Sequence, residues 1–227
     1  MGVRMPAQAL TIAIGDSRQV SGLLQVPPRT RACYVFAHGA GAGMKHAFMK
    51  ALADELAKLE VATLRYQFPY MEAGSKRPDA PALAHATVRA AVDEASRRLP
   101  EVALFAGGKS FGGRMTSQTQ AASPLPGVRG LVFVGFPLHA AGKPSSDRAT
   151  HLLHVEIPML FLQGTRDQLA DGTLMRKLAA ELGPRASLAM FQDADHSFHV
   201  PARSGRTDAQ VQSGVALAVS DWIRNLA

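Results

Sequence analysis

The chain has 227 residues, of which 47% are hydrophobic, and carries a formal charge of +7 with a single cysteine, Cys33. Its length and apolar content predict one globular domain over residues 1–227. The lone cysteine excludes an intrachain disulfide, as expected in a reducing compartment. The basic residues are scattered, and no apolar stretch is long enough to span a membrane. We therefore expect a cytoplasmic protein that binds neither nucleic acid nor membranes.

Short apolar runs alternate with helical patterns along the chain. The first two runs, Leu10–Ile14 and Val20–Val26, predict a hairpin with its turn near Gly15. Six later runs are nearly all apolar, as in strands buried on both faces of a parallel sheet. They are Ala32–Ala37, Val61–Arg65, Val102–Ala106, Val128–Val134, Pro158–Gln163 and Ser187–Phe191. Helical spacing of apolar residues predicts the helices Lys45–Leu59, Ala82–Leu99, Arg114–Ala121, Asp147–Leu153 (short), Leu174–Leu182 and a C-terminal helix containing Val211, Val215, Val219 and Trp222.

Strands and helices alternate after the hairpin, which implies parallel strands joined by right-handed crossovers. The prediction is an α/β fold with a mostly parallel central sheet, an N-terminal antiparallel hairpin and helices on both faces. Too few residues separate Val134 from Pro158 to form an inserted cap domain. A site at the edge of this sheet should therefore be shallow and walled by loops.

The most informative stretch is Gly108-Lys109-Ser110-Phe111-Gly112, a G-x-S-x-G pattern between a predicted strand and a predicted helix. This is the context of a nucleophile elbow, where a serine occupies a sharp, strained turn. Glycines two residues to either side let the strand and the helix approach closely. Because the motif is common by chance, a base, an acid and an oxyanion donor must accompany it.

Two further polar residues follow predicted strands. Asp167 comes after Pro158–Gln163, and His196 comes after Ser187–Phe191. The order Ser, Asp, His is that of the α/β hydrolases. His196 would take the proton of Ser110, and Asp167 would orient the imidazole. Each residue alone could instead be a turn serine, a helix cap or a loop histidine, but their joint occurrence favours a catalytic triad.

The oxyanion would be held by two backbone amides. One is that of Phe111, directly after the predicted nucleophile. The second should come from the loop that follows Ala32–Ala37, for which we choose Ala40 with Gly39 as the alternative. Losing one such donor can cost roughly 3–4 kcal/mol of transition-state stabilisation.

Two other patterns in the sequence could indicate a different function, a nucleotide site or a metal site. The segment Gly108–Ser110 resembles the end of a P-loop, but position 103 is alanine where the first glycine is required. The spacing His151-x-x-His154 could suggest a metal, but no cysteine or glutamate completes a ligand set. We predict no metal and no cofactor.

Several sequence blocks together resemble one family. They are His38–Gly41, Arg65–Glu72, Gly107–Arg114, Phe136–His139, Gln163–Asp167 and Asp195–Phe198. They resemble the α/β-hydrolase superfamily, in particular its capless dienelactone-hydrolase-like branch. More closely, they resemble the family of testis-expressed and NSL-complex-subunit hydrolase-like proteins and their bacterial relatives. Relatives often carry proline where this chain has Ala140, which affects the shape of that loop.

This resemblance implies the α/β-hydrolase fold without a cap domain and a serine-hydrolase triad. We expect a hydrolase that cleaves a small or exposed carboxylic ester, lactone or thioester through an acyl-enzyme. A non-catalytic interaction scaffold is the alternative, and no oligomeric state is indicated. The predicted wall of the substrate site, all just after strands, comprises Tyr66, Phe68, Tyr70, Met71, Phe136 and His139. For Phe68 and Phe136, packing onto the sheet is an equally good interpretation.

Overall fold

The computed structural model describes residues 6–226. One sheet of eight strands forms its centre, in the order β1-β2-β4-β3-β5-β6-β7-β8. The strands are β1 (Gln8–Ile14), β2 (Arg18–Gln25), β3 (Ala32–Ala37), β4 (Val61–Tyr66), β5 (Ala103–Lys109), β6 (Val128–Val134), β7 (Met159–Gly164) and β8 (Ala186–Phe191). The α-helices are α1 (Ala47–Lys58), α2 (Pro69–Glu72), α3 (Pro81–Arg98), α4 (Phe111–Ala122), α5 (Gly172–Leu182) and α6 (Asp208–Arg224).

The pairing pattern confirms the predicted fold class. Strands β3 to β8 pair in parallel, whereas β1 pairs antiparallel with β2 and β2 antiparallel with β4. The residues of β3 and β4 are all buried, as expected for strands covered on both faces. The carboxyl ends of the parallel strands lie along one edge of the sheet, where ligands bind in open α/β sheets.

The helices cover both faces of the sheet and create two apolar cores. Helices α3, α4 and α5 pack on one face, and α1 and α6 pack on the other. Trp222 of α6 contacts Phe105 with ring centroids 5.8 Å apart, which agrees with its predicted packing role.

Two local features differ from the sequence prediction. Strand β5 continues to Lys109, three residues beyond the predicted end, so α4 begins immediately after Ser110. The short helix α2 lies where only a loop was expected, and its first residue is Pro69. Proline suits this position because its missing N–H would have no partner in the first turn.

The connection from β6 to β7 contains only a 3₁₀ helix, Asp147–His154, so the described part of the chain has no cap domain. Among residues 6–226, no helix has the length and apolar character needed to cross a membrane. In the described residues, no cap domain therefore covers the carboxyl edge of the sheet at β5.

Candidate active site

The turn between β5 and α4 places Ser110 at the carboxyl edge of the sheet. Its backbone has φ 50° and ψ −112°, a strained conformation for a residue with a side chain. Close packing allows no side chain at the flanking glycines. A Cβ on Gly108 would lie 2.5 Å from the carbonyl oxygen of Ala37, and one on Gly112 would lie 2.6 Å from the Cβ of Ala37. The predicted nucleophile elbow thus has the strained, glycine-flanked geometry that the pattern requires.

The three side chains predicted to form a triad lie in a continuous hydrogen-bonded series. Nε2 of His196 is 2.9 Å from Oγ of Ser110, and Nδ1 of His196 is 2.7 Å from Oδ2 of Asp167. The Asp167 side chain has no exposed surface, whereas 24% of the His196 side chain is exposed. The imidazole therefore faces the site while its partner carboxylate is enclosed.

The Asp167 carboxylate is held by further donors. The amide of Leu169 donates to Oδ1 over 2.8 Å, and the side-chain amide of Gln163 donates to Oδ2. Gln163 is fully buried near the end of β7, four residues before Asp167. These bonds fix the carboxylate in the orientation that meets His196, which is the role expected of the acid in such a series.

The loop after β3 lies against the elbow and is held by hydrogen bonds to the segment after β4. The backbone amide of Phe68 donates to Nε2 of His38 over 3.0 Å. The proton of the His38 ring is therefore on Nδ1, which donates to the carbonyl of Gly39 over 2.8 Å. Burial lowers the pKa of His38 to about 4, which keeps it neutral. The Gly41 amide donates to the Tyr70 hydroxyl over 3.2 Å, and the Met44 amide donates to Oε1 of Gln67 over 2.9 Å.

A pocket of about 360 Å³ opens beside Ser110 and His196. Its remaining wall residues are Gly39, Ala40, Ala42, His46, Phe48, Met49, Lys109, Leu169 and Ser197. The predicted oxyanion residues Gly39 and Ala40 thus line this pocket, and Phe111 opens α4 directly after Ser110. Apolar walls with a few polar groups are typical of small-molecule sites.

None of the six residues of the predicted aromatic wall is among those lining this pocket. Tyr66, Phe68 and Phe136 are at most 1% exposed and pack in the core between the sheet and its helices. For Phe68 and Phe136, this is the packing alternative that the sequence left open. The aromatic side chains after these strands turn toward the helix-covered face rather than toward the solvent edge.

The other three predicted wall residues lie behind the site. Tyr70 supports the loop after β3 through Gly41, and Met71 is half-buried beside the same loop. Nε2 of His139 accepts from the amide of Asp171 over 2.9 Å, and the His139 amide donates to the carbonyl of Leu169 over 3.0 Å. His139 therefore positions a pocket wall residue without lining the pocket itself.

Within residues 6–226, no three His, Cys, Asp or Glu side chains converge in a way that could hold a metal ion. His151 is half-buried and lies 2.7 Å from the hydroxyl of Ser117. Burial, with a contribution from the nearby charge of Arg114, lowers the pKa of His151 to about 4.

Comparison with known proteins places this geometry in a family. A family model described as alpha/beta hydrolase domain matches residues 30–224. The chain belongs to the α/β-hydrolase family. Among solved structures, it is similar to a dienelactone hydrolase from Anabaena variabilis ATCC 29413, with a TM-score of 0.78 and 19% identity over 98% of this chain and 99% of that one.

Two other solved structures have the same fold. A serine hydrolase without a lid from Xanthomonas campestris matches with a TM-score of 0.73 and 19% identity over 96% of this chain and 95% of that one. Est1E from Butyrivibrio proteoclasticus matches with a TM-score of 0.68 and 16% identity over 95% of this chain and 99% of that one. These likenesses support the capless α/β-hydrolase architecture of this chain.

In this α/β hydrolase, sequence reasoning missed the actual pocket wall. Phe48 and Met49 come from the first turn of α1, and Leu169 comes from the loop after β7. Their sequence signal is only that of buried apolar residues in an amphipathic helix or a loop. The ammonium of Lys109 donates to the carbonyl of His196 over 2.6 Å, a contact that the local sequence does not indicate.

Proposed function

We propose that this chain is a serine hydrolase that cleaves a small or exposed carboxylic ester, lactone or thioester through an acyl-enzyme. The observation that carries the proposal is the hydrogen-bonded series from Ser110 through His196 to Asp167 beside an open pocket. A serine hydroxyl is a poor nucleophile until an adjacent base takes its proton. Nε2 of His196 is at the distance that this transfer needs.

The reaction would proceed in two halves. Oγ of Ser110 attacks the carbonyl carbon while its proton passes to Nε2 of His196, and the carbonyl oxygen becomes an oxyanion. Collapse of the tetrahedral intermediate breaks the bond to the leaving oxygen or sulfur, which takes the proton from His196. Water then attacks the acyl-serine in the same way, and the carboxylic acid product leaves.

Backbone geometry supports Ala40 over Gly39 as the second oxyanion donor. The carbonyl of Gly39 is occupied on the buried side by His38 and by the amide of Ala42, which donates over 3.2 Å. In a trans peptide the C=O and the next N–H point in opposite directions, so the Ala40 amide faces the other way. Together with the amide of Phe111, it would stabilise the developing negative charge.

The walls of the pocket support an apolar substrate arm. Phe48, Met49 and Leu169 contribute apolar surface beside the nucleophile. A volume of about 360 Å³ lies at the lower end of the range for small-molecule sites. We further infer that the substrate is a small molecule and that the protein acts in the cytoplasm. We also infer a relationship to the testis-expressed and NSL-complex-subunit hydrolase-like proteins, which the chain resembles in sequence.

A fluorophosphonate probe tests the proposed chemistry because it phosphonylates only an activated serine. We expect intact-mass spectrometry to show one adduct on the wild type and none on Ser110→Ala. Ser117→Ala is the matched control, because Ser117 also lies against a histidine, His151, and should still leave one adduct. Equal labelling of all three proteins, or none, would contradict the proposal, and absence of labelling would favour the non-catalytic scaffold. Turnover of 4-nitrophenyl esters of two to eight carbons would then define the acyl preference.

A further inference from the structure

Lys109 is a half-buried cation in the wall of the candidate active site. Its alkyl chain runs beside the loop after β3, where a Cβ on Gly39 would lie 3.5 Å from its Cγ. Its ammonium lies 5.6 Å from the ring centroid of Phe198 and 6.0 Å from that of Phe48. The same group donates to the carbonyl oxygen of His196. Lys109 therefore lies beside the predicted oxyanion loop and is bonded to the main chain of the predicted base.

The environment of this ammonium is unfavourable for a charge. Within the described residues, no carboxylate lies within ion-pair distance of Lys109, although Asp167 and Asp195 attract it from farther away. Burial lowers the pKa of Lys109 to about 8 despite this attraction. Placing a cation in such surroundings costs free energy, so packing alone does not explain a lysine here.

The loop that carries His196 follows β8, the last strand at one edge of the sheet. Its first part is fixed to the loop after β7, because the Arg166 amide donates to the carbonyl of Ala194 over 2.9 Å. At His196 itself, the bond from Lys109 links this loop to the strand that leads to Ser110.

The ammonium of Lys109 passes close to Gly135 at the end of β6. A Cβ at this position would lie 2.9 Å from Nζ and 3.5 Å from the His196 ring. Gly135 has φ 69°, a conformation that favours glycine. The ammonium therefore lies between the end of β6 and the loop that carries His196.

We propose that Lys109 is a positioning residue, whose ammonium anchors the main chain of His196 beside Ser110. This inference rests on the proposed hydrolase function. The charged or titratable groups around Lys109 are Asp167 after β7, Asp195 and His196 after β8, and His46 at the start of α1.

The test compares Lys109→Met with Lys109→Arg. Methionine removes the charge and the hydrogen bond but keeps an unbranched apolar chain. We expect kcat/KM on a short neutral ester to fall about 10- to 100-fold in Lys109→Met, as when a reacting group is misplaced. The fall should be in kcat rather than KM, and the thermal midpoint should be no lower than in the wild type. Lys109→Arg should restore part of the activity. Lys50→Met on the exposed side of α1 is the control for net charge and should behave as the wild type.

The pH profile separates positioning from simple packing. In the wild type, activity should decline as pH rises through about 8, because the hydrogen bond from Lys109 to the carbonyl of His196 weakens when the ammonium loses its proton. Lys109→Met has no proton to lose at this position and should keep the same low activity across this range. Lys109→Arg should show no such decline, because guanidinium remains charged.

Three results would overturn the proposal. One is a pH profile of Lys109→Met that still declines through about 8 as in the wild type, and another is a loss of activity that only follows a loss of folded protein. The third is a loss confined to anionic esters, which would make Lys109 a substrate contact. The NMR chemical shift and line width of the His196 ring at pH 7, in the wild type and in Lys109→Met, give a readout without turnover. A wild type that neither labels nor turns over esters would contradict the proposed function, while a displaced or broadened His196 signal in Lys109→Met would still support the anchoring role of Lys109.

Discussion

The hydroxyl of Tyr70 accepts a hydrogen bond from the backbone amide of Gly41 over 3.2 Å. This bond joins α2 to the loop that provides the proposed second oxyanion donor, Ala40. Tyr70 was expected to contact substrate, but it is 4% exposed and lies behind the loop. Tyr70 therefore holds the loop in place and does not contact the substrate. Removing its hydroxyl should slow the reaction step and leave substrate binding unchanged.

We therefore predict that Tyr70→Phe lowers kcat by up to about tenfold with little change in KM, because the donor loop loses one anchor. The free energy of unfolding should fall by less than about 1 kcal/mol, since Gly41 is exposed and water can replace the hydroxyl. Steady-state kinetics on a 4-nitrophenyl ester measure the first effect, and urea denaturation measures the second.

Tyr34→Phe is the matched control for this substitution. The Tyr34 hydroxyl donates to the carbonyl of Val132 over 2.9 Å in the core on the α1 and α6 face. Its loss should cost about 1 kcal/mol of stability and leave kcat unchanged. If both variants lowered kcat equally, the loop-anchoring role of Tyr70 would be wrong.

A second prediction concerns Asp167, the proposed acid of the triad. Asparagine at position 167 would present an amide N–H₂ to Nδ1 of His196 and thus favour the wrong tautomer of the ring. We expect Asp167→Asn to lower kcat by about 10³- to 10⁴-fold with the fold intact, as in other Ser-His-Asp sites.

Asp171→Asn provides the comparison for the acid. Asp171 caps α5 by accepting from the amides of Thr173 and Leu174, and asparagine caps helices equally well. Near wild-type turnover is expected for this variant. Comparable losses in the two Asp→Asn variants would contradict the assignment of Asp167.

The candidate catalytic residues could be predicted because each follows a strand of the parallel sheet. Parallel strands end at one edge of a sheet, so Ser110, Asp167 and His196 had to lie along that edge once their strands were recognised. The elbow pattern added a local signal, since close packing against Ala37 permits only glycine at the positions flanking the turn.

The pocket wall could not be predicted because it depends on which way a loop turns. Tyr66 ends β4 and Phe136 follows β6, much as Ser110 follows β5, yet the rings of both aromatic residues enter the core. The wall is formed instead by Phe48 and Met49, which have the same sequence pattern as any buried helical residues. The bond from Lys109 to His196 joins residues 87 positions apart and leaves no mark in local sequence.

A third prediction concerns close packing at the elbow. Gly112→Ala would place a Cβ within 2.7 Å of the backbone carbonyl of Ala37, and neither backbone segment can move freely. We expect a loss of at least about 2 kcal/mol in the free energy of unfolding.

Gly214→Ala in α6 should have the opposite effect on the free energy of unfolding. Its Cβ would lie 3.5 Å from the Phe191 ring, an ordinary contact, and alanine favours the helix by up to about 1 kcal/mol. Urea denaturation of both variants should therefore give shifts of opposite sign. A stabilised Gly112→Ala protein would contradict the packing that we describe.

The last prediction is a loss of stability in mild acid. Burial lowers the pKa values of His38 and His151 from 6.5 to about 4, so between these values the unfolded chain binds protons that the folded protein does not. Stability should therefore fall as pH decreases from about 6.5 toward 4. His151→Gln cannot titrate but can still hydrogen-bond to Ser117, so its decline should be shallower than that of the wild type. The exposed His154→Gln should show the wild-type slope. Urea denaturation at pH 7, 6, 5 and 4.5 measures the slopes, and parallel curves for all three proteins would show that His151 does not contribute.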